Sequence, residues 1–316
     1  MSIKKILLWH VHGSWTTAFV QGRHEYLLPM TPDRGADGLG RARTWDWPAT
    51  ARDVPVDALP DADFDVVVLQ RPHELGLVER WTGRRPGRDV PAVYLEHNAP
   101  EPHPVHSRHP VADRDDIPIA HVTHFNRSMW DNGRAPSTVI EHGIVDPGDL
   151  YTGELPHAAV VINEPGRRGR MVGTDLVVEF ARHVPIDHFG LTDERLPGVR
   201  HQGDVQQNAM HGELARRRVY LHPMRWTSLG LSLLEAMHAG LPVVALAATE
   251  APRAVPPAAG VVSADPDELL TGLRRLLADP EEARVAGKAA RAAALERYGL
   301  ARFLADWDRL LEEVTA

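Results

Sequence analysis

At 316 residues the chain is too long for a single core of ordinary size, and it suits two domains of roughly 150 residues each. A net charge of -8, with both signs interspersed, leaves no basic arm or stripe for nucleic acid or an anionic membrane. The absence of cysteine excludes disulfides, thiolate zinc sites and a cysteine nucleophile, and fits a reducing, cytoplasmic setting.

The N-terminal run Ile6 to Trp9 behind Lys4 and Lys5 is too short for a signal peptide, and no later window reaches the roughly 20 apolar residues of a membrane span. Short apolar runs recur at Ile3 to Val11, Asp65 to Leu69, Ala92 to Leu95 and Ile117 to Val122. After Pro156 they continue at Ala158 to Ile162, Val219 to His222, Val243 to Leu246 and Gly260 to Ser263. Runs without polar alternation are what strands buried on both faces look like, so the fold class is α/β with parallel sheets. Between Val145 and Pro156 the residues Asp146, Pro147, Gly148 and Gly153 break any period, which places a boundary between domains of 1–150 and 151–299. Asp265-Pro266 and Asp279-Pro280 each read as an N-cap followed by proline. They predict helices near 266–278 and 280–297, and Gly299 separates a last one near 300–314.

The most informative stretch runs from Trp226 to Ala245. Thr227 or Ser228 can cap a helix that starts near Leu229, and Gly240 with Pro242 ends it before a strand. A helix N-terminus presents unpaired N–H groups and a positive dipole end, and Gly230 lets a phosphate come close to them. Glu235 lies one turn beyond Leu231, and helical side chains lean toward the N-terminus, so its carboxylate reaches toward the ribose of a bound nucleotide. The plain alternative is a carboxylate on the edge of an amphipathic helix.

Other residues carry a functional and a plain reading side by side. His12-Gly13-Ser14 follows the first strand, either as a ligand loop or as an ordinary turn. Arg167, Arg168 and Arg170 form a basic loop, whose plain reading is solvated charge. His97 is one of eighteen histidines. His103, His106 and His109 lack the spacing of a metal site, and Asp61-Ala62-Asp63 reads as turn chemistry, so no metal is expected. The stretch Gly83 to Arg88 reads as solvated charge.

The pattern Gly-Leu-x-x-x-Glu-Ala-Met-x-x-Gly-x-Pro-Val-Val at 230–244 resembles the nucleotide-sugar block of retaining glycosyltransferase family 4. The resemblance is strong over 200–316 and weaker, though collinear, before that. It implies the GT-B fold, two Rossmann-like parallel-sheet domains facing across a cleft, with the 300–316 helix returning to the first. It also implies a substrate rather than a cofactor: a nucleoside diphosphate sugar whose ribose is held by Glu235. The diphosphate would be held by the backbone from Gly230 through Leu231 to Ser232, with Thr227, Ser228 and Leu229 leading into it.

The same resemblance places Gly13 and Ser14 over the diphosphate, arginines of the 167–170 loop beside it, and His97 at the donor sugar, with His97, Arg168 and Arg170 in catalytic roles. Two positions depart from the family: Thr227 stands where a second glutamate is usual, and Val172-Gly173 replaces a Lys-Gly pair. The implied activity is metal-independent glycosyl transfer with retention to a small-molecule or glycan acceptor, by a monomer or weak homodimer. A non-catalytic nucleotide-sugar binder and a sugar-nucleotide epimerase are the alternatives.

Overall fold

A computed structural model describes residues 2–192 and 194–316. The chain divides into two compact units, one comprising the residues up to Val145 together with Leu300–Ala316, the other Asp146–Gly299.

The first unit is built on seven strands: β1 (Lys5–Leu8), β2 (Glu25–Met30), β3 (Ala51–Pro55), β4 (Val66–Leu69), β5 (Ala92–Glu96), β6 (Ile119–His121) and β7 (Ser137–Val139). They lie in the order β3-β2-β1-β4-β5-β6-β7, every pair parallel, with Ile6 opposite both Tyr26 and Val66. Central strands are buried on both faces, as the absence of polar alternation requires: every residue of β4 is fully buried. One core cluster joins Leu7, Val67, Leu69 and Tyr94 to Leu77 and Val78 of the Glu74–Thr82 helix. An aromatic cluster joins Trp15 and Phe19, on the helix after β1, to Phe303 and Trp307 of the Leu300–Val314 helix, with Trp15 and Trp307 centroids 5.5 Å apart. Arg302 of that last helix donates to the carbonyls of Glu141 and His142.

The second unit has six strands: β8 (Leu155–Val161), β9 (Ile186–Phe189), β10 (Arg200–Gly203), β11 (Arg217–His222), β12 (Val243–Leu246) and β13 (Gly260–Ser263). Their order is β10-β9-β8-β11-β12-β13, again all parallel. The core packs Val160, Val219 and Val244 against Val177 and Phe180 of one helix and Leu269, Leu273 and Leu276 of another. Burying each such leucine contributes about 1.5–3 kcal/mol. The two Asp-Pro signals act as expected: Asp265 accepts from the N–H of Asp267, and Asp279 from those of Glu281 and Glu282, opening the helices Pro266–Ala278 and Pro280–Tyr298.

Several sequence expectations are corrected. The run from Ile3 to Val11 is a strand only from Lys5 to Leu8, beyond which the Trp9 carbonyl is taken by the Gln70 side chain. β8 begins at Leu155 and includes Pro156, which sits at the strand's start, where a missing N–H costs least. β2, β3, β7, β9 and β10 were not expected, although β2 carries an apolar run from Tyr26 to Leu28. β3 lies at a sheet edge and alternates, β10 at another is largely exposed, and β9 buries Asp187, which Arg217 neutralises at 2.8 Å.

In each sheet the chain reverses its direction of strand addition once, between β1 and β4 in the first and between β8 and β11 in the second. The crevice beyond the carboxyl ends of such a strand pair is where open α/β sheets hold ligands.

Candidate functional site

In the second unit the loops following β8 and β11 meet beyond that switch point. β8 leads into the short helix Pro165–Arg168, the turn Gly169–Val172 and the helix Thr174–Ala181. The Met171 carbonyl accepts from the N–H groups of Arg225 (2.9 Å) and Trp226 (3.1 Å), which joins the two loops. The basic residues are held by carboxylates. Arg167 pairs with Glu164, and Arg170 with Asp175 at 2.6 Å, both on exposed side chains. Arg168 ends the short helix.

Arg225 makes a two-pronged bond to Asp175 at 2.6 and 2.9 Å and donates to the Arg170 carbonyl at 3.0 Å. Burial pushes the Asp175 carboxyl up, but the hydrogen bond and charge of Arg225, with the charge of Arg170, outweigh it and hold the group below the usual carboxylate range. Arg225 is the residue that sequence reading missed. Its signal was an arginine three residues past β11, the strand at the switch point.

The helix Leu231–His238 follows on the same loop. It starts two residues later than expected, and its N-cap is Gly230 rather than Thr227 or Ser228, with no side-chain cap bond. A side chain has little room at this cap, since a Cβ on Gly230 would stand 2.9 Å from Cε1 of the buried His222. Burial lowers His222 to about 4, so that ring is neutral. Ser232, in the first turn, accepts at 2.9 Å from the hydroxyl of Tyr220 on β11. Glu235 is buried, not solvated, and its Oε2 is 3.8 Å from His211 Nε2. Ser228 and Leu229 are also buried, and the Thr227 hydroxyl is enclosed with no hydrogen-bond partner among the described residues. Gly240, at φ +91°, ends the helix as expected.

In the first unit, the carboxyl ends of β1 and β5 and the turn after β7 gather three histidines. His12 caps the helix Gly13–Phe19, and its ring centroid is 3.9 Å from that of His97, which follows β5. His142 stacks on His97 at 6.2 Å. Trp15 meets His97 edge-on at 5.4 Å. Burial drives all three histidines toward the neutral form, His12 to about 4, His142 to about 3 and His97 well below its ordinary value. Gly13 admits the Trp45 ring, whose Cζ2 would lie 3.1 Å from a Cβ at that position, and Ser14 follows it on the first turn.

The rings of His103 and His106 lie tilted against each other at 4.6 Å while His109 turns away to Glu96 at 3.1 Å. Among the described residues no group of three or more His, Asp or Glu is placed to hold a metal ion. Asp63 pairs with Lys5 at 2.7 Å, in keeping with a structural turn. In the stretch from Gly83 to Arg88, Arg85 pairs with Asp89, whereas Arg84 lies 4.6 Å over the Phe64 ring and so is not simply solvated. No helix among the described residues is long and apolar enough to cross a membrane.

Two all-parallel α/β units, each with a loop site beyond its switch point, define a protein of the GT-B glycosyltransferase fold. Residues 169–279 match the family model described as glycosyl transferases group 1, a stretch that runs from the turn before Gly173 through Arg225, Gly230 and Glu235. No curated protein matches the chain by sequence.

Among solved structures, the chain is similar to sucrose-phosphate synthase from Thermosynechococcus elongatus, at 13% identity over 98% of both chains with a TM-score of 0.71. It is also similar to Anabaena HepE, solved with UDP and glucose, at 15% identity over 98% of this chain and 99% of that one, TM-score 0.71. A third is a TarM variant of S. aureus, solved with fondaparinux, α-GlcNAc-glycerol and UDP, at 13% identity and TM-score 0.65. That match covers 78% of this chain, which spans only 55% of the TarM chain. At these identities the likeness is one of fold.

Proposed function

We propose that the chain is a glycosyltransferase that moves a sugar from a uridine diphosphate donor to a small-molecule or glycan acceptor, with retention and without a metal ion. The observation that carries this reading is the group 1 match over the second unit, where Gly230 and Glu235 stand on one helix at the sheet's switch point. The choice of UDP rests on the HepE and TarM structures, which were solved with it.

In this reading Glu235 accepts hydrogen bonds from the ribose hydroxyls. The N–H groups of Leu231 and Ser232 hold the diphosphate, which the helix dipole favours. As the bond between the anomeric carbon and the phosphate oxygen breaks, negative charge grows on that oxygen. Arg167, Arg168 and Arg170 offset it without a metal. The acceptor oxygen attacks from the face the phosphate leaves, and its proton passes to the departing phosphate. His97, with Gly13 and Ser14, belongs to the sugar and acceptor side of the reaction.

The test is calorimetry with UDP and uridine, followed by measurement of UDP release from UDP-glucose and UDP-GlcNAc with a panel of sugar acceptors. The diphosphate should bind far more tightly than the nucleoside, and UDP should appear only with acceptor. Equal binding of the two ligands would remove the reading.

One observation favours a second reading, a non-catalytic nucleotide-sugar binder: Thr227 stands where the resembling family carries a carboxylate, and its hydroxyl has no partner among the described residues. Thr227→Glu separates the two. A working transferase should change its preference among donor sugars and keep its UDP affinity, whereas a binder should release no UDP before or after the change.

A further inference from the structure

The histidine cluster of the first unit is wired through one amide. Gln70, 3% exposed, follows β4, and its Nε2 lies 2.7 Å from the Trp9 carbonyl, beside the end of β1. A carbonyl oxygen only accepts, so the atom facing it is the amide NH₂. That fixes the orientation of the whole amide and turns Oε1 toward His97, whose Nε2 is 3.2 Å away. Oε1 also only accepts, so the proton on His97 is on Nε2.

The ring is 7% exposed and lies among His12, His142 and Trp15, where burial and the two neighbouring histidines disfavour a second proton. His97 is therefore neutral, and its Nδ1 carries a lone pair. Gln70 is itself held, because its backbone N–H donates at 2.6 Å to Glu74, which also takes the Arg71 guanidinium at 2.7 Å.

We propose that Gln70 is a positioning residue that fixes His97 as the Nε2–H tautomer, so that the imidazole offers Nδ1 as a hydrogen-bond acceptor to a ligand hydroxyl and supplies no proton to the reaction. Such second partners commonly decide which ring nitrogen of a histidine is protonated. The ligand class, a carbohydrate hydroxyl, rests on the glycosyltransferase reading; the tautomer does not.

The experiment is nitrogen-detected NMR on full-length protein labelled with ¹⁵N-histidine, at pH 7, where the two neutral tautomers give distinct patterns. Wild type should show His97 protonated on Nε2. Gln70→Leu should move it to a mixture or to the Nδ1–H form. Gln70→Glu, which keeps an acceptor, should retain Nε2–H and raise the pH at which the ring titrates.

With UDP-sugar and acceptor, Gln70→Leu should lower kcat/KM on the order of tenfold, the loss of about one hydrogen bond, while UDP affinity stays unchanged. A wild-type His97 in the Nδ1–H form, or an unchanged tautomer in Gln70→Leu, overturns the assignment, and the wild-type spectrum decides even if that variant fails to fold. Absence of any transfer, with the tautomer as stated, would instead remove the glycosyltransferase reading and leave the assignment of Gln70 standing.

Discussion

The carbonyl oxygen of Pro223 lies 2.1 Å from where a Cβ on Gly173 would stand, so the loops following β8 and β11 approach as closely as backbones can. Gly173 also has φ +77°, a left-handed conformation that side chains disfavour. Gly173→Ala should cost at least about 1–3 kcal/mol from backbone strain alone, with the Pro223 clash added. Thermal unfolding should fall by several degrees. UDP affinity should fall with it, since the loop carrying Arg170 and the loop carrying Gly230 would be pushed apart. A variant as stable as wild type would show that the close approach is not needed.

Glu235 should be the anchor for the nucleotide ribose. A hydrogen bond to a charged group contributes about 1.5–3 kcal/mol, so Glu235→Ala should weaken UDP binding tenfold or more. Glu235→Gln should do less harm, because its amide oxygen still accepts. With a 2′,3′-dideoxyuridine diphosphate ligand, wild type and Glu235→Ala should bind almost equally. If calorimetry shows the folded Ala variant binding UDP as tightly as wild type, the carboxylate serves only His211 and the helix packing.

Charge reversal at Arg168 or Arg170 should weaken UDP binding far more than uridine binding, because the cations act on phosphate. Transfer should survive EDTA for the same reason. A strict need for added Mg²⁺ or Mn²⁺, or equal losses for both ligands, would place these arginines away from the phosphates. Asp175 bears on this, since it holds both Arg170 and Arg225. Asp175→Asn should alter the salt dependence of UDP binding more than its uridine counterpart.

Acid should destabilise the first unit before most carboxylates titrate. His12 and His121 are lowered from 6.5 to about 4 and His142 to about 3, all chiefly by burial. Between pH 6.5 and about 4 the unfolded chain therefore binds protons that the folded one refuses. Stability is complete above pH 6.5 and falls as pH drops through that window, by roughly 2 kcal/mol per histidine at pH 5. Urea unfolding at pH 7.5 and 5 checks it; equal midpoints would show that these rings are protonated in the folded chain.

What the sequence determined by itself was local. The buried runs of β1, β4, β5, β11 and β12, the aspartate caps at 265 and 279, and the stop at Gly240 each depend on residues within one turn or one strand. The 230–244 pattern was legible for the same reason, since a helix N-terminus and the carboxylate one turn on are neighbours in sequence.

Tertiary structure decided what short range could not. The edge strands β3 and β10 pair because a sheet is already there for them to join, despite their polar residues. The lack of room for a side chain at Gly230 comes from His222 on β11, and the partner of Asp175 is an arginine fifty residues away. The histidine cluster is the clearest case. His12, Gln70, His97 and His142 follow four different strands, whose parallel pairing brings their loops to one end of the sheet and whose order β1-β4-β5-β6-β7 sets them near one another. Strand order is set by how helices of a given length cover the two faces of a parallel sheet, which is a property of the whole unit and of no segment in it.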